Sequence, residues 1–228
     1  MFHYFLIPFF YHFIPKTTLM GRLINGINGP IQGKVGTVHG SSRNGIPYLK
    51  GPYKSRTLKV SKKELQNRKK FAMAQSWLAP LVKFVREGFR GYSQRSHGFI
   101  AAKSWLLRNA IIMNGDEMRI DPALVKVSSG DLPNPNNMIV TQTETGNLQF
   151  TWDPSFGGTD DHDQIMMLAY DLGKPISTFN TTGQFRSVGT ETLNMHNAKG
   201  SFHVYAAFNA ADRSRQSDSV YLGEWKIQ

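Results

Sequence analysis

The residues best suited to chemistry are the histidines, and beyond the N-terminal segment these are His39, His97, His162, His196 and His203. Metal sites draw paired ligands at helical or hairpin spacing. Here the only near pair is His196 and His203, separated by the turn Asn197–Gly200, with no H-x-x-x-H and no cysteine in the chain. They read as exposed hairpin residues. Asp160, Asp161 and Asp163 flank His162 after Gly157 and Gly158; their oxygens suit a hard cation, but the D-x-D-x-D-G order and the spaced glutamate of a calcium loop are missing. This acidic loop reads as a solvated hairpin tip. A hydrolytic serine would stand in G-x-S-x-G, and a glycosidase would need two framed carboxylates; neither pattern is visible.

Glycines at Gly26, Gly29, Gly33, Gly36, Gly40, Gly45 and Gly51 invite a phosphate-loop reading. A P-loop requires G-x-x-x-x-G-K-[ST], and around Gly33-Lys34 the first position is Asn28 and the last is Val35. The spacing Gly26, Gly29, Gly33 also departs from the dinucleotide fingerprint. The expectation is therefore a chain that is not an enzyme, with no catalytic residue, cofactor, metal or small-molecule substrate.

What stands out is charge. Residues 1–130 hold 21 Lys or Arg against 5 Asp or Glu, whereas residues 131–228 hold 6 against 11. The basic half carries Lys62, Lys63, Arg68, Lys69, Lys70, Arg86 and Arg90, the candidate contacts for an anionic partner. Tyr48, Tyr53, Tyr92 and Trp105 are interleaved with these cations and have the flat faces that stack on bases. Two partner classes follow. The leading one is protein, including self-association between the basic half of one copy and the acidic half of another; the second is nucleic acid bound through the seven cations.

The elements that would position this charge are two helices. Ser61-Lys62-Lys63-Glu64 is a capping box, and Phe71, Ala74, Leu78, Leu81, Val85 and Phe89 recur at three and four residues behind it. Pro80 must break that run, because it lacks an amide donor and crowds the preceding turn. A second helix is expected from Ser96, with Asn114-Gly115 as its left-handed stop. Ahead of the helices, Gly21 to Tyr53 reads as strands over Lys34–Gly40 and Ile46–Leu49, joined through Ser42–Gly45. After Met138 the periodicity becomes alternating, with eight candidate strands at 138–142, 147–152, 165–170, 176–179, 184–188, 191–195, 202–209 and 219–226. Trp152 and Tyr205 stand where core aromatics of fibronectin type III modules would.

The expected class is α+β: a glycine-rich β segment plus a basic helical hairpin, followed by an immunoglobulin/fibronectin III-like β-sandwich. The expected divisions are an extension over residues 1–19, a first domain over 20–130, a linker at 131–137 where the charge changes sign, and the sandwich over 138–228. The apolar run at the N-terminus falls short of the roughly 20 residues that cross a bilayer and lacks the basic start and cleavage site of an export signal. It is taken as non-native or disordered, ahead of a start at Met20-Gly21. A membrane partner is not expected, and the cytoplasm is the preferred location.

The succession Gly29-Pro30, Gly33-Lys34-Val35-Gly36, Gly40-Ser41, Lys69-Lys70-Phe71, Gly88-Phe89, Asn109-Ala110-Ile111, Gly130-Asp131-Leu132-Pro133 and Phe150-Thr151-Trp152 resembles an uncharacterised bacterial family, catalogued as a domain of unknown function. The resemblance covers Met20 to the C-terminus. It implies a family and assigns no activity or residue role.

Overall fold

Between Arg22 and Lys50 the chain folds back on itself three times. The strands β1 (Arg22–Leu23), β2 (Ile31–Val35), β3 (Val38–Arg43) and β4 (Ile46–Lys50) make an antiparallel sheet in that order. The strand expected over Lys34–Gly40 is two strands, because Val35 pairs with Val38 across Gly36-Thr37 and Gly36 takes φ 56°. That left-handed conformation is the one a two-residue hairpin needs and glycine adopts without steric cost. At Gly40 a Cβ would lie 2.0 Å from the Ile31 carbonyl oxygen, so only hydrogen fits there. Pro47 sits on the edge strand β4, where its missing amide costs the sheet nothing and blunts pairing with a further strand.

The computed structural model describes residues 22–23, 25–26, 29–43, 45–52, 54–55, 57–92, 98–115, 117–154, 161–174 and 176–227. The extension expected over residues 1–19, the helix start at Ser96, His97, Tyr53, and Gly157, Gly158 and Asp160 of the acidic loop lie outside them. The chain forms two compact units, Met1–Lys59 and Val60–Gln228.

The second unit opens with helix α1 (Lys62–Leu78), where the Ser61 hydroxyl accepts from the Glu64 amide at 3.2 Å. At Pro80 the helix gives way to a 3-10 turn (Ala79–Leu81), then resumes as α2 (Val82–Gly88). Helix α3 (Gly98–Asn109) packs on both. It ends five residues before the expected stop: Ile111 to Asn114 form β5 and pair with β6 (Glu117–Ile120), and Gly115, at φ 61°, serves the hairpin turn instead of a helix cap. The β-branched pair Ile111 and Ile112 favours the strand.

Seven further strands follow: β7 (Ile139–Gln142), β8 (Leu148–Thr151), β9 (Gln164–Asp171), β10 (Ile176–Asn180), β11 (Thr190–Leu193), β12 (Gly200–Asn209) and β13 (Val220–Ile227). The strand expected at 184–188 is a 3-10 turn, Arg186–Val188, closed by Gly189 at φ 76°. The strands form a four-stranded sheet ordered β10-β9-β12-β13 and a three-stranded sheet ordered β11-β8-β7, an open pair rather than a closed barrel. Between the sheets lie Leu148, Phe150, Trp152, Ile165, Met167, Phe202, Val204, Ala206 and Phe208. On the other side of the four-stranded sheet, Met166, Leu168, Tyr170, Tyr205 and Ala207 share a core with Trp77, Leu78, Leu81, Phe84, Phe89 and Leu106 of the helical segment. Trp77 meets Tyr170 edge-on at 5.1 Å, and Phe84 meets Phe179 at 6.1 Å. Burial on both faces explains why Ile165 to Tyr170 is an unbroken apolar run. Trp152 and Tyr205 thus belong to two different cores.

The helical segment and the sheets form one compact unit, and the linker expected at 131–137 lies inside it. A change of charge sign reports on the solvated surface, whereas this boundary is set by buried apolar contact. The segment is also pinned: Leu132 donates its amide to Gln216 O at 3.0 Å, and Asn134 Nδ2 donates to Asp218 O at 2.8 Å.

A buried ion pair holds the same end of the sheets. Arg186 and Asp163 are 0% and 1% exposed, with Nε and Oδ2 3.3 Å apart. The guanidinium lies 4.4 Å from the Phe208 ring centre and donates from Nη2 to Pro133 O at 2.9 Å. Trp152 Nε1 donates to the Arg186 carbonyl at 2.8 Å. Burial lowers the pKa of Arg186, and Asp163 offsets that shift. Removing one partner of a buried pair leaves the other charge uncompensated, a loss of about 3–5 kcal/mol, whereas removing both costs less. Asp163→Asn is therefore expected to lower the urea midpoint more than the double replacement Asp163→Asn with Arg186→Met; equal midpoints would show that the pair carries no stability.

Candidate functional site

Five of the seven candidate cations lie on α1, with Arg86 near the end of α2 and Arg90 just beyond it. None of the residues from Lys62 to Met73 is buried; Ala74 is the first that is. The leading three turns of α1 are therefore a helix held by its cap and by the packed turns behind it. At 100° per residue, Lys62, Lys63, Lys69 and Lys70 fall within about 120° of the helix circumference. Arg68 points elsewhere and is paired with Glu64 at 2.7 Å, and Arg90 with Glu87 at 2.7 Å. Such exposed pairs contribute under about 1 kcal/mol each, but in each the carboxylate offsets the charge its arginine offers a partner. The structure thus gathers four lysines on one stripe and leaves Arg86 and Arg90 on another element.

The carboxylates expected to receive that charge are partly engaged within the chain. Asp218 takes Lys126 at 2.5 Å, Asp131 takes Arg215 at 2.9 Å, and Asp163 takes Arg186. Burial disfavours the ionised form of Asp218, yet hydrogen bonds from Lys126 and Ser129 hold its carboxyl below the usual range. Of the expected stacking aromatics, Trp105 is covered by Lys126, whose Nζ is 4.5 Å from its ring centre, and Tyr92 packs on Phe89 at 5.5 Å.

The sheet of the first unit brings together residues that the sequence reading left apart. Residues paired across adjacent antiparallel strands project to the same side, and neighbours along a strand alternate. The register Gly33↔Gly40↔Leu49, with Val35↔Val38 and Leu23↔Ile31, collects Leu23, Ile31, Val35, Val38 and Leu49 on one face. The register Lys34↔His39↔Lys50, with Arg22↔Gln32, Arg43↔Ile46 and Ser41↔Tyr48, collects the cations and Tyr48 on the other. Among the described residues of this unit no hydrophobic side chain is buried; Leu23, Val35 and Leu49 are 52%, 43% and 58% exposed. A groove of about 350 Å³ is lined by Lys34, Thr37, His39 and Lys50. The signal missed in the sequence was the turn at Gly36: placing it shifts the alternation and sorts the two faces.

Two other features belong to the second unit. An apolar groove of about 650 Å³ lies beside Pro80, lined by Met73, Trp77, Tyr170 and Leu172. His203 Nδ1 and the Tyr221 hydroxyl are 2.9 Å apart. Among the described residues no group of three or more His, Cys, Asp or Glu is placed to hold a metal ion, and no helix is long and apolar enough to cross a membrane.

These elements define a mixed α/β chain with a basic helical hairpin and several antiparallel sheets. Residues 30–223 match the family of unknown function DUF6266, and the chain belongs to that family. No curated protein matches the sequence.

Burial pushes the His203 imidazole below its ordinary pKa, with Glu224, Asp171 and Asp121 drawing it partly back. The unfolded chain then takes up the proton first as pH falls below about 6.5, so stability is retained above that value and lost as pH drops toward the folded pKa. The urea midpoint is expected to fall between pH 7.5 and pH 5.5, and His203→Gln to flatten that dependence. An unchanged slope in the variant would remove His203 as its source.

Proposed function

We propose that this protein is a non-catalytic interaction protein that self-associates through the apolar face of its glycine-rich sheet. The observation that carries the reading is that this sheet has a sorted apolar face and no buried hydrophobic side chain among its described residues. A small antiparallel sheet needs such a face packed against something to be stable. A second copy fits because the face bears no charged residue: the cations project from the opposite side, so two sheets stacked at about 10 Å keep their charge outward. At the middle of the face Gly40 is already covered by the Ile31 backbone, so the surface left for a partner is that of Leu23, Val35 and Leu49 around it. This differs from pairing a basic half with an acidic half, since Asp131, Asp163 and Asp218 already hold cations within the chain.

The three-plus-four division of β7 to β13 supports reading that sheet pair as fibronectin type III-like, an architecture that by itself implies no activity. A second reading, nucleic-acid binding, draws on the stripe of Lys62, Lys63, Lys69 and Lys70 on the unburied turns of α1. Basic residues neutralising phosphates would give an affinity that falls linearly with log salt.

Light scattering across a concentration series tests the first reading. The wild-type chain is expected to form a dimer or larger species that persists in 0.5 M salt, because apolar burial is not screened. Leu49→Lys is expected to yield a monomer with an unchanged urea midpoint for the second unit. A wild-type monomer at all concentrations would overturn self-association, and an oligomer dispersed by salt would return the contact to the charged halves.

A further inference from the structure

The opposite face of the same sheet carries a different partner surface. Three observations converge there. First, Lys34, His39 and Lys50 stand in one row across three adjacent strands, each directly opposite the next. Lys34 and Lys50 thus stand on the same face two strand spacings apart, about 10 Å, with the His39 imidazole between them. Second, the unit supplies no counter-charge: residues 1–59 contain 8 Lys or Arg and no Asp or Glu. Third, the row is not flat, since Lys34, His39 and Lys50 line the groove beside the Gly36-Thr37 turn. Within the unit no carboxylate offsets this row, which leaves it open to an anion.

The remaining residues on this face identify the class of anion. Arg22 and Arg43 extend the cationic surface toward the other end of the sheet, and Tyr48, 42% exposed, falls on the same face by register, between Lys50 and the Arg43–Ile46 pair, while also lining a groove with Pro30, Ile31 and Leu49. Inorganic phosphate makes no use of an aromatic face, and a groove beside a turn suits a strand rather than the flat surface of a membrane. A nucleic-acid single strand uses both, because its phosphates track a basic groove while an unstacked base lies on the ring. A duplex hides its bases inside the stack and offers Tyr48 only its backbone. The geometry points to this face as a binding surface for single-stranded nucleic acid, with Lys34 and Lys50 on phosphates and Tyr48 under a base. The inference rests on the nucleic-acid reading for its ligand class and moves the site from α1 to the sheet.

Fluorescence anisotropy of the full chain with labelled oligo(dT) and oligo(U) 15-mers, and with a 15-base-pair duplex, across 50–300 mM salt, tests it. The single strands are expected to bind more tightly than the duplex. Lys34→Gln with Lys50→Gln is expected to reduce the log–log salt slope by about 1.4, two single-strand phosphate contacts. Tyr48→Ala is expected to weaken binding roughly 5- to 150-fold, the range for one stacked base, with the slope unchanged. Circular dichroism of each variant confirms that the sheet is retained. Binding abolished by Lys69→Gln with Lys70→Gln and untouched by the sheet variants would keep the nucleic-acid reading and overturn this site. Equal binding of duplex or heparin with no response to Tyr48→Ala, or no binding to any oligonucleotide at 50 mM salt, would overturn the inference.

Discussion

The second unit depends on one sheet being covered on both sides. Strands β9 and β12 lie at its centre and pair over eight residue positions, from Phe202↔Asp171 to Asn209↔Gln164. Their alternate side chains enter two separate cores, one under the three-stranded sheet and one under the helices. Each large side chain so buried contributes about 1.5–3 kcal/mol. The buried face of the helices is continuous with Met166, Leu168, Tyr170, Tyr205 and Ala207, and the strands would expose that apolar face without the helices. Helical segment and sheets are therefore one thermodynamic object, despite opposite net charge. The buried Arg186–Asp163 pair and the pinned segment at 131–137 close the end of that object where loops converge.

The first unit obeys the opposite logic. Its sheet is organised by turns and hydrogen bonds, with glycine at Gly36 and Gly40 where a side chain would strain the turn or strike the neighbouring strand. Most of its apolar residues lie on one face and its cations, with Ile46 and Tyr48, on the other, and among the described residues no hydrophobic side chain of either face is buried. Exposed hydrophobic area costs free energy in water, and like charges gathered on one face repel one another. A partner on each face would remove both costs, which is the physical ground of the proposals made for this sheet.

Much of the helical region was legible from residues alone. The Ser61–Glu64 cap, the break at Pro80 and the apolar stripe each rest on interactions within one or two turns, and the structure has them where their spacing predicts, except that Phe71 at the head of the stripe is 54% exposed. The strand expected at 202–209 is likewise present as β12, with its alternate side chains in two cores. The turns at Gly36 and at Arg186–Val188 were not legible. Glycine and β-branched residues there satisfy a strand pattern as well as a turn, and only pairing partners decide between them.

The sequence by itself determined element type wherever the cause is local: capping, proline, period and net charge act through neighbours a few residues away. Tertiary structure alone decided which elements share a core. Trp77 meets Tyr170, and Phe84 meets Phe179, across long stretches of chain, and no composition rule reports that contact. It also decided which cations stand together. Lys34 and Lys50 are far apart along the chain and become neighbours of His39 only when hairpin register brings three strands side by side. Register is a property of paired backbones, so the chemistry of that face exists only after the sheet has formed.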